Sequence, residues 1–112
     1  MKRRLLAALL AAIAALAIPE AAAATACEPV RNPYPGTRYE GVDLTRIRAL
    51  EVSCSWARTV ARRAHRKALG MPLPADGVRR FRWRGWSVIG DLRPEIDRYV
   101  ARKTDRRVRW RF

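Results

Sequence analysis

Few groups in this chain could do chemistry. It holds one histidine, His65, two cysteines, Cys27 and Cys54, and the serines Ser53, Ser55 and Ser87. A zinc site needs three or four ligands at short spacings, and these residues are too few and too scattered for one. A serine nucleophile needs a base oriented by a third group, and no nucleophile-elbow glycine pattern surrounds any serine. Glu95 with Asp97, or Glu40 with Asp43, could be imagined as a glycosidase acid and base. Each pair lies among arginines, where salt bridging is the expected role. No glycine-rich loop is present to cradle a phosphate. The residues point away from an enzyme, a metal site and a cofactor.

What remains is arginine. The 112 residues carry 24 Lys and Arg against 10 Asp and Glu, a net charge of +14. Arg107, Arg109 and Arg111 alternate with Val108, Trp110 and Phe112. Arg80, Arg82 and Arg84 alternate with Phe81 and Trp83. On strands, that alternation sends the arginines to one face and the apolar residues to the other. Guanidinium forks suit phosphates and carboxylates, and a ladder of like charges favours an anionic counter-surface. These six arginines are the candidate anion-binding residues. A GC-rich genome would also enrich alanine and arginine together, so charge alone does not define a site.

The elements that position these arginines begin at Cys27. Met1-Lys2-Arg3-Arg4, an apolar run from Leu5 to Ile18 and small residues up to Ala26 form a secretory signal peptide, residues 1–26. The run is shorter than the roughly 20 residues that a membrane-spanning helix needs. Cleavage is expected after Ala26, with Ala23 and Ala24 as alternatives. Lipidation of Cys27 is a further alternative, disfavoured by Ala24 three positions before it. Without the three basic residues and Glu20 of that leader, 21 basic and 9 acidic side chains remain, a net +12. Export implies oxidising surroundings, where Cys27 and Cys54 are natural disulfide partners; free thiols are the other possibility.

Residues 27–43, with three prolines and two glycines, read as an extended arm. A single small domain, 44–112, follows. Its organising element is the helix from Ser53 to Gly70. Cys54, Ala57, Val60, Ala61, Ala64 and Ala68 form its apolar stripe, and Arg58, Arg62, Arg63, Arg66 and Lys67 face outward. Ser53 suits the N-cap, and Gly70 suits the position past the C-terminus. His65 lies near the edge of the stripe and reads as partly exposed. A strand over Thr45–Ala49 precedes the helix. After it come a strand over Val78–Gly90 with a bulge at Gly85, a strand within Ile96–Lys103 (a helix with Pro94 at its first position is the alternative), and a strand over Arg106–Phe112 joined to it through Thr104-Asp105. The expected fold is α+β: one amphipathic helix packed on a small antiparallel sheet in the order β-α-β-β-β. Trp83, Trp86, Val88, Val108 and Trp110 would lie over the alanine stripe.

Val52-Ser53-Cys54-Ser55-Trp56-Ala57-Arg58-Thr59-Val60-Ala61, the Gly85-Trp86-Ser87 step and Arg107-Val108-Arg109-Trp110 together resemble small exported proteins of unassigned function from high-GC bacteria. That resemblance implies a leading strand, a helix starting at Ser-Cys, a Gly-Trp strand and a terminal hairpin, and it implies no activity. Such proteins tend to carry a second cysteine pair, at positions corresponding here to Val88 and Val100. A valine pair packed in place of that disulfide is the expectation.

The functional expectation is a non-enzymatic, monomeric, secreted or envelope-facing module. Its basic sheet face would bind a wall polymer, an anionic lipid or an acidic protein. Nucleic acid is not the expected physiological partner. The alternative is a small protein-binding or inhibitor module using Asn32 to Gly36 as a rigid loop, since Pro33 and Pro35 limit its freedom before binding.

Overall fold

A computed structural model describes residues 23–112. Most of the expected leader, residues 1–22, lies outside the described residues. The elements are β1 (Thr25–Ala26), β2 (Thr45–Leu50), α1 (Cys54–Leu69), β3 (Val78–Trp83), β4 (Trp86–Asp91), β5 (Arg98–Lys103) and β6 (Arg106–Arg111). All six strands join one antiparallel sheet in the order β1-β2-β6-β5-β4-β3. Among the described residues the α+β class and the single helix on an antiparallel sheet stand as expected, and the strand count rises from four to six.

Two physical causes account for the extra strands. The run from Val78 to Gly90 is not one bulged strand. Arg84 and Gly85 both adopt positive φ, 44° and 81°, the signature of a two-residue type I′ hairpin turn. That turn sets Trp83 directly opposite Trp86 and Phe81 opposite Val88, and directly opposed residues share a sheet face. The slip in alternation at Gly85 is therefore a change of strand. The second addition is β1, whose Thr25 and Ala26 pair with Ala49 and Arg48. A cut after Ala26 would remove it.

Helix α1 covers one side of the sheet. Ser53 Oγ accepts the Trp56 N–H at 3.2 Å, which satisfies one of the open donors of the first turn. Gly70 closes the last turn with its N–H on Lys67 and an ordinary φ of −83°, so its left-handed freedom is not used. Ala57, Val60, Ala61, Ala64 and Ala68 are fully buried against Trp86, Val88, Ala101, Val108 and Trp110. Small residues on the helix leave room for large rings on the sheet. Each of those rings contributes roughly 1.5–3 kcal/mol by leaving water. Trp83 lies at the hairpin end of this layer and is only half-buried.

The Cys27–Cys54 disulfide ties the arm to the first residue of α1, with the two Cα atoms 5.4 Å apart. The arm is anchored at further points. The Cys27 N–H donates to the Ile47 carbonyl at 2.8 Å, Val30 and Leu44 exchange backbone bonds, and Tyr34 is buried.

Val88 and Val100 do not form a packed pair. The register sets Val88 opposite Ala101 on the helix-facing side, while Val100 is opposite Ile89 on the other side. The two valines point to opposite faces of the sheet, so they do not replace a disulfide together.

Gly90 is required by its neighbour. It is opposite Tyr99, whose ring lies over it and stacks on Trp110 with centroids 5.3 Å apart and planes 2° from parallel. A Cβ at position 90 would come within 2.8 Å of three Tyr99 ring carbons. Gly90→Ala should cost about 2–3 kcal/mol through overpacking, read as a lowered urea midpoint at unchanged m. A variant as stable as the parent would show that the Tyr99–Trp110 stack is not rigid.

Candidate basic face

The register decides which arginines share the sheet side away from α1. Three rows cross the strands there. The first is Val78, Asp91, Arg98, Arg111 and Thr45. The second is Arg80, Ile89, Val100, Arg109 and Arg48. The third is Arg82, Ser87, Arg102, Arg107 and Leu50. Neighbours in a row stand about 4.8 Å apart and successive rows roughly 6.7 Å apart. Strand β2 is irregular between Thr45 and Arg48, and Arg46 takes a positive φ of 52°. This bulge leaves Thr45 and Arg46 both exposed, while Ile47 and Ala49 return to the core. Arg46 thereby joins the basic face.

Five of the six expected anion-binding residues, Arg80, Arg82, Arg107, Arg109 and Arg111, lie on this face. Arg84 does not; it occupies the hairpin turn, with its guanidinium 5.6 Å from the Trp83 ring centroid. The structure adds Arg46, Arg48, Arg98 and Arg102, which sequence reading missed. Arg98 and Arg102 flank Val100 at spacing two, a signal that the mixed pattern of Ile96–Lys103 obscured. Arg46 and Arg48 are brought in only by the pairing of β2 with β6.

Acidic partners are scarce here. Arg80 is taken by Asp76 at 3.1 Å, and Arg82 donates to Ser87 Oγ at 3.3 Å. Asp91 accepts from Arg93 at 2.9 and 3.2 Å, which holds its carboxyl below the usual range. Among the described residues, Arg46, Arg48, Arg98, Arg102, Arg107, Arg109 and Arg111 form no ion pair. Most of these side chains line an open depression of about 370 Å³ over β2, β6, β5 and β4. Like charges at these spacings repel, and a bound anion relieves that repulsion.

The residues considered for catalysis are elsewhere. His65 is fully buried, where partial exposure was expected. Its Nδ1 shares a 2.6 Å hydrogen bond with the Tyr34 hydroxyl, and Tyr99 and Phe112 pack on its ring. The 3.6-residue period could not show this, because the covering residues come from the arm, from β5 and from Phe112 after β6. Burial, aided by the nearby Arg79 guanidinium, pushes the imidazole down to about 3. Ser53 caps the helix, and Asp43 pairs with Arg31 at 3.5 Å. Among the described residues no group of three His, Cys, Asp or Glu could hold a metal, and no helix is long and apolar enough to cross a membrane.

No protein-family model, curated protein or solved structure matches this chain. The geometry of the face has to carry the functional argument.

The expected recognition loop, Asn32 to Gly36, is held by its own polar contacts. Asn32 N–H donates to Asp43 at 2.8 Å, Gly41 N–H donates to the Asn32 side chain at 2.8 Å, and Tyr34 turns inward to His65. Pro33, Pro35 and Tyr39 line a cleft of about 460 Å³ against Arg66, Leu69 and Gly70.

Proposed function

We propose that this protein is an exported, non-enzymatic interaction module whose basic sheet face binds an anionic partner at the cell envelope. One observation carries the reading: among the described residues, seven arginines without an acidic partner stand on one sheet face, most of them around one depression. The β-lattice fixes the backbone positions of these arginines, so only their side chains have to order when the anion arrives, and each guanidinium fork can make charge-assisted hydrogen bonds to it. The disulfide, the net charge and the leader-like N-terminal residues support export.

Heparin tests the electrostatics as a soluble polyanion. Changing Arg98, Arg109 and Arg111 together to glutamine should weaken heparin binding at least tenfold at low salt. The dependence of log affinity on log salt should become shallower by roughly one per arginine removed. The same change at Arg58, Arg62 and Arg66 of α1 should have a clearly smaller effect. Equal losses from both triples would show diffuse charge in place of a site, and affinity indifferent to salt would remove the mechanism.

A second reading, a protein-binding module, is favoured by the fixed 32–36 loop beside its apolar cleft. If it holds, Tyr39→Ser and Leu69→Ser should abolish capture of a defined protein partner that the arginine substitutions leave intact.

A further inference from the structure

We propose that the depression on the basic face is a binding site for an amphiphilic anion, a phosphate-class head group bearing an alkyl chain, with Ile89 and Val100 seating the chain. The proposal rests on the anion-binding reading above and narrows its ligand.

The face is not uniformly basic. At the centre of the middle row, Ile89 and Val100 are direct cross-strand partners. Ile89 is 40% exposed, one of few large apolar side chains so open among the described residues. Arg98 and Arg102 flank Val100 along β5, and Arg109 follows it across the row. A bare polyanion gains from charge at every position and gains nothing from methyl groups beneath it. Its charged groups would lose hydration against them without compensation. An alkyl chain reverses that balance, because the two β-branched residues shed water as it settles.

Shape and charge agree with this ligand class. The depression of about 370 Å³ is open to solvent along one side and has room for a head group with several methylenes beside it. The stems of Arg98, Arg102 and Arg109 supply apolar walls, while their guanidinium groups stay at the rim to grip the anion. The one carboxylate lining the depression, Asp91, is already held by Arg93 through two hydrogen bonds, so its repulsion of an incoming anion is offset.

The test compares octyl phosphate below its micelle concentration, inorganic phosphate, and phosphatidylglycerol vesicles diluted in phosphatidylcholine, using disulfide-bonded protein and methyl NMR titration. Octyl phosphate should bind at least tenfold more tightly than inorganic phosphate, since burial of about two methylenes suffices for that ratio. The largest methyl shifts should fall on Ile89 and Val100. The Ile89→Ser, Val100→Thr double variant should reduce the preference to below about threefold, with an amide NMR spectrum away from the depression that matches the parent and so reports that it is folded. Binding of octyl phosphate without the vesicles supports the site and identifies a free amphiphile as the source; binding of both adds the bilayer head group. Vesicle binding without octyl phosphate binding overturns the proposal in favour of surface charge alone. Equal affinity for octyl and inorganic phosphate with heparin binding intact overturns it and leaves the broader reading standing. Loss of salt-dependent heparin binding in the parent protein would remove both.

Discussion

Replacing Cys27 and Cys54 together by serine should lower stability by about 3.5 kcal/mol, the chain-entropy value for a loop of this length. For a domain of this size that is a fall in melting temperature of roughly 15–25 °C. The effect is large because the bond closes a loop spanning 27 positions and links two otherwise separate parts. Cys27 is where the arm enters the sheet, through its N–H on Ile47, and Cys54 is the first residue of α1. Without the bond, the unfolded chain recovers its loop entropy and the folded arm keeps its backbone contacts, the packing of Val30, Tyr34 and Tyr39, and the Arg58 hydrogen bond to the Pro29 carbonyl. Scanning calorimetry of oxidised parent and variant measures the difference directly. A shift of under about 5 °C would mean that the arm is held by its own packing. The same covalent bond bears on processing, because a bridged Cys27 has no thiol left for lipidation.

The second large effect is acid sensitivity centred on His65. The imidazole has the Tyr34 hydroxyl on Nδ1, Tyr99 and Phe112 packed against its ring and, among the described residues, no carboxylate partner. Arg79 from β3 is itself nearly buried, donates to the Tyr99 hydroxyl at 3.1 Å and disfavours a second positive charge nearby. The folded imidazole therefore stays neutral down to about pH 3, while the unfolded chain takes up its proton near pH 6.5. Between those values the unfolded state holds more protons, so stability rises with pH and falls on acidification. The slope approaches about 1.4 kcal/mol per pH unit below pH 6 and integrates to roughly 2 kcal/mol between pH 6.5 and 4.5. Asp97 opposes this trend at the acid end. Burial pushes its carboxyl up, so protonating it relieves a penalty in the folded state. Asp76 and Asp91 are held low by hydrogen bonds, so their losses fall below the window. Urea midpoints at pH 6.5, 5.5 and 4.5 measure the slope, and His65→Phe should flatten it. A parent protein equally stable at all three values would show that water or a counterion reaches the ring.

Both effects arise from the meeting of the arm, the helix and the C-terminal strands, and the same meeting explains what could be read in advance. Local periodicity was sufficient for the helix, because Ser53, the alanine stripe and the basic outer side are all contained in one element. The disulfide was legible too, because a chain with two cysteines offers one internal pairing. It was not sufficient at Gly85, where a bulge and a hairpin turn produce the same one-position slip in alternation. Only the pairing of β3 with β4 distinguishes them.

The same division runs through the basic face. Arg107, Arg109 and Arg111 were legible because β6 alternates cleanly. Arg46, Arg48, Arg98 and Arg102 became neighbours only when β2 and β5 took their places on either side of β6. The chain's residues alone dictated a basic, alanine-helix α+β domain with a cross-link, since each of those properties is local or compositional. Strand order, the bulge at Arg46, the burial of His65 and the apolar seat at Ile89 and Val100 were settled by tertiary pairing. Contacts between residues far apart in the chain leave no periodic trace in either partner.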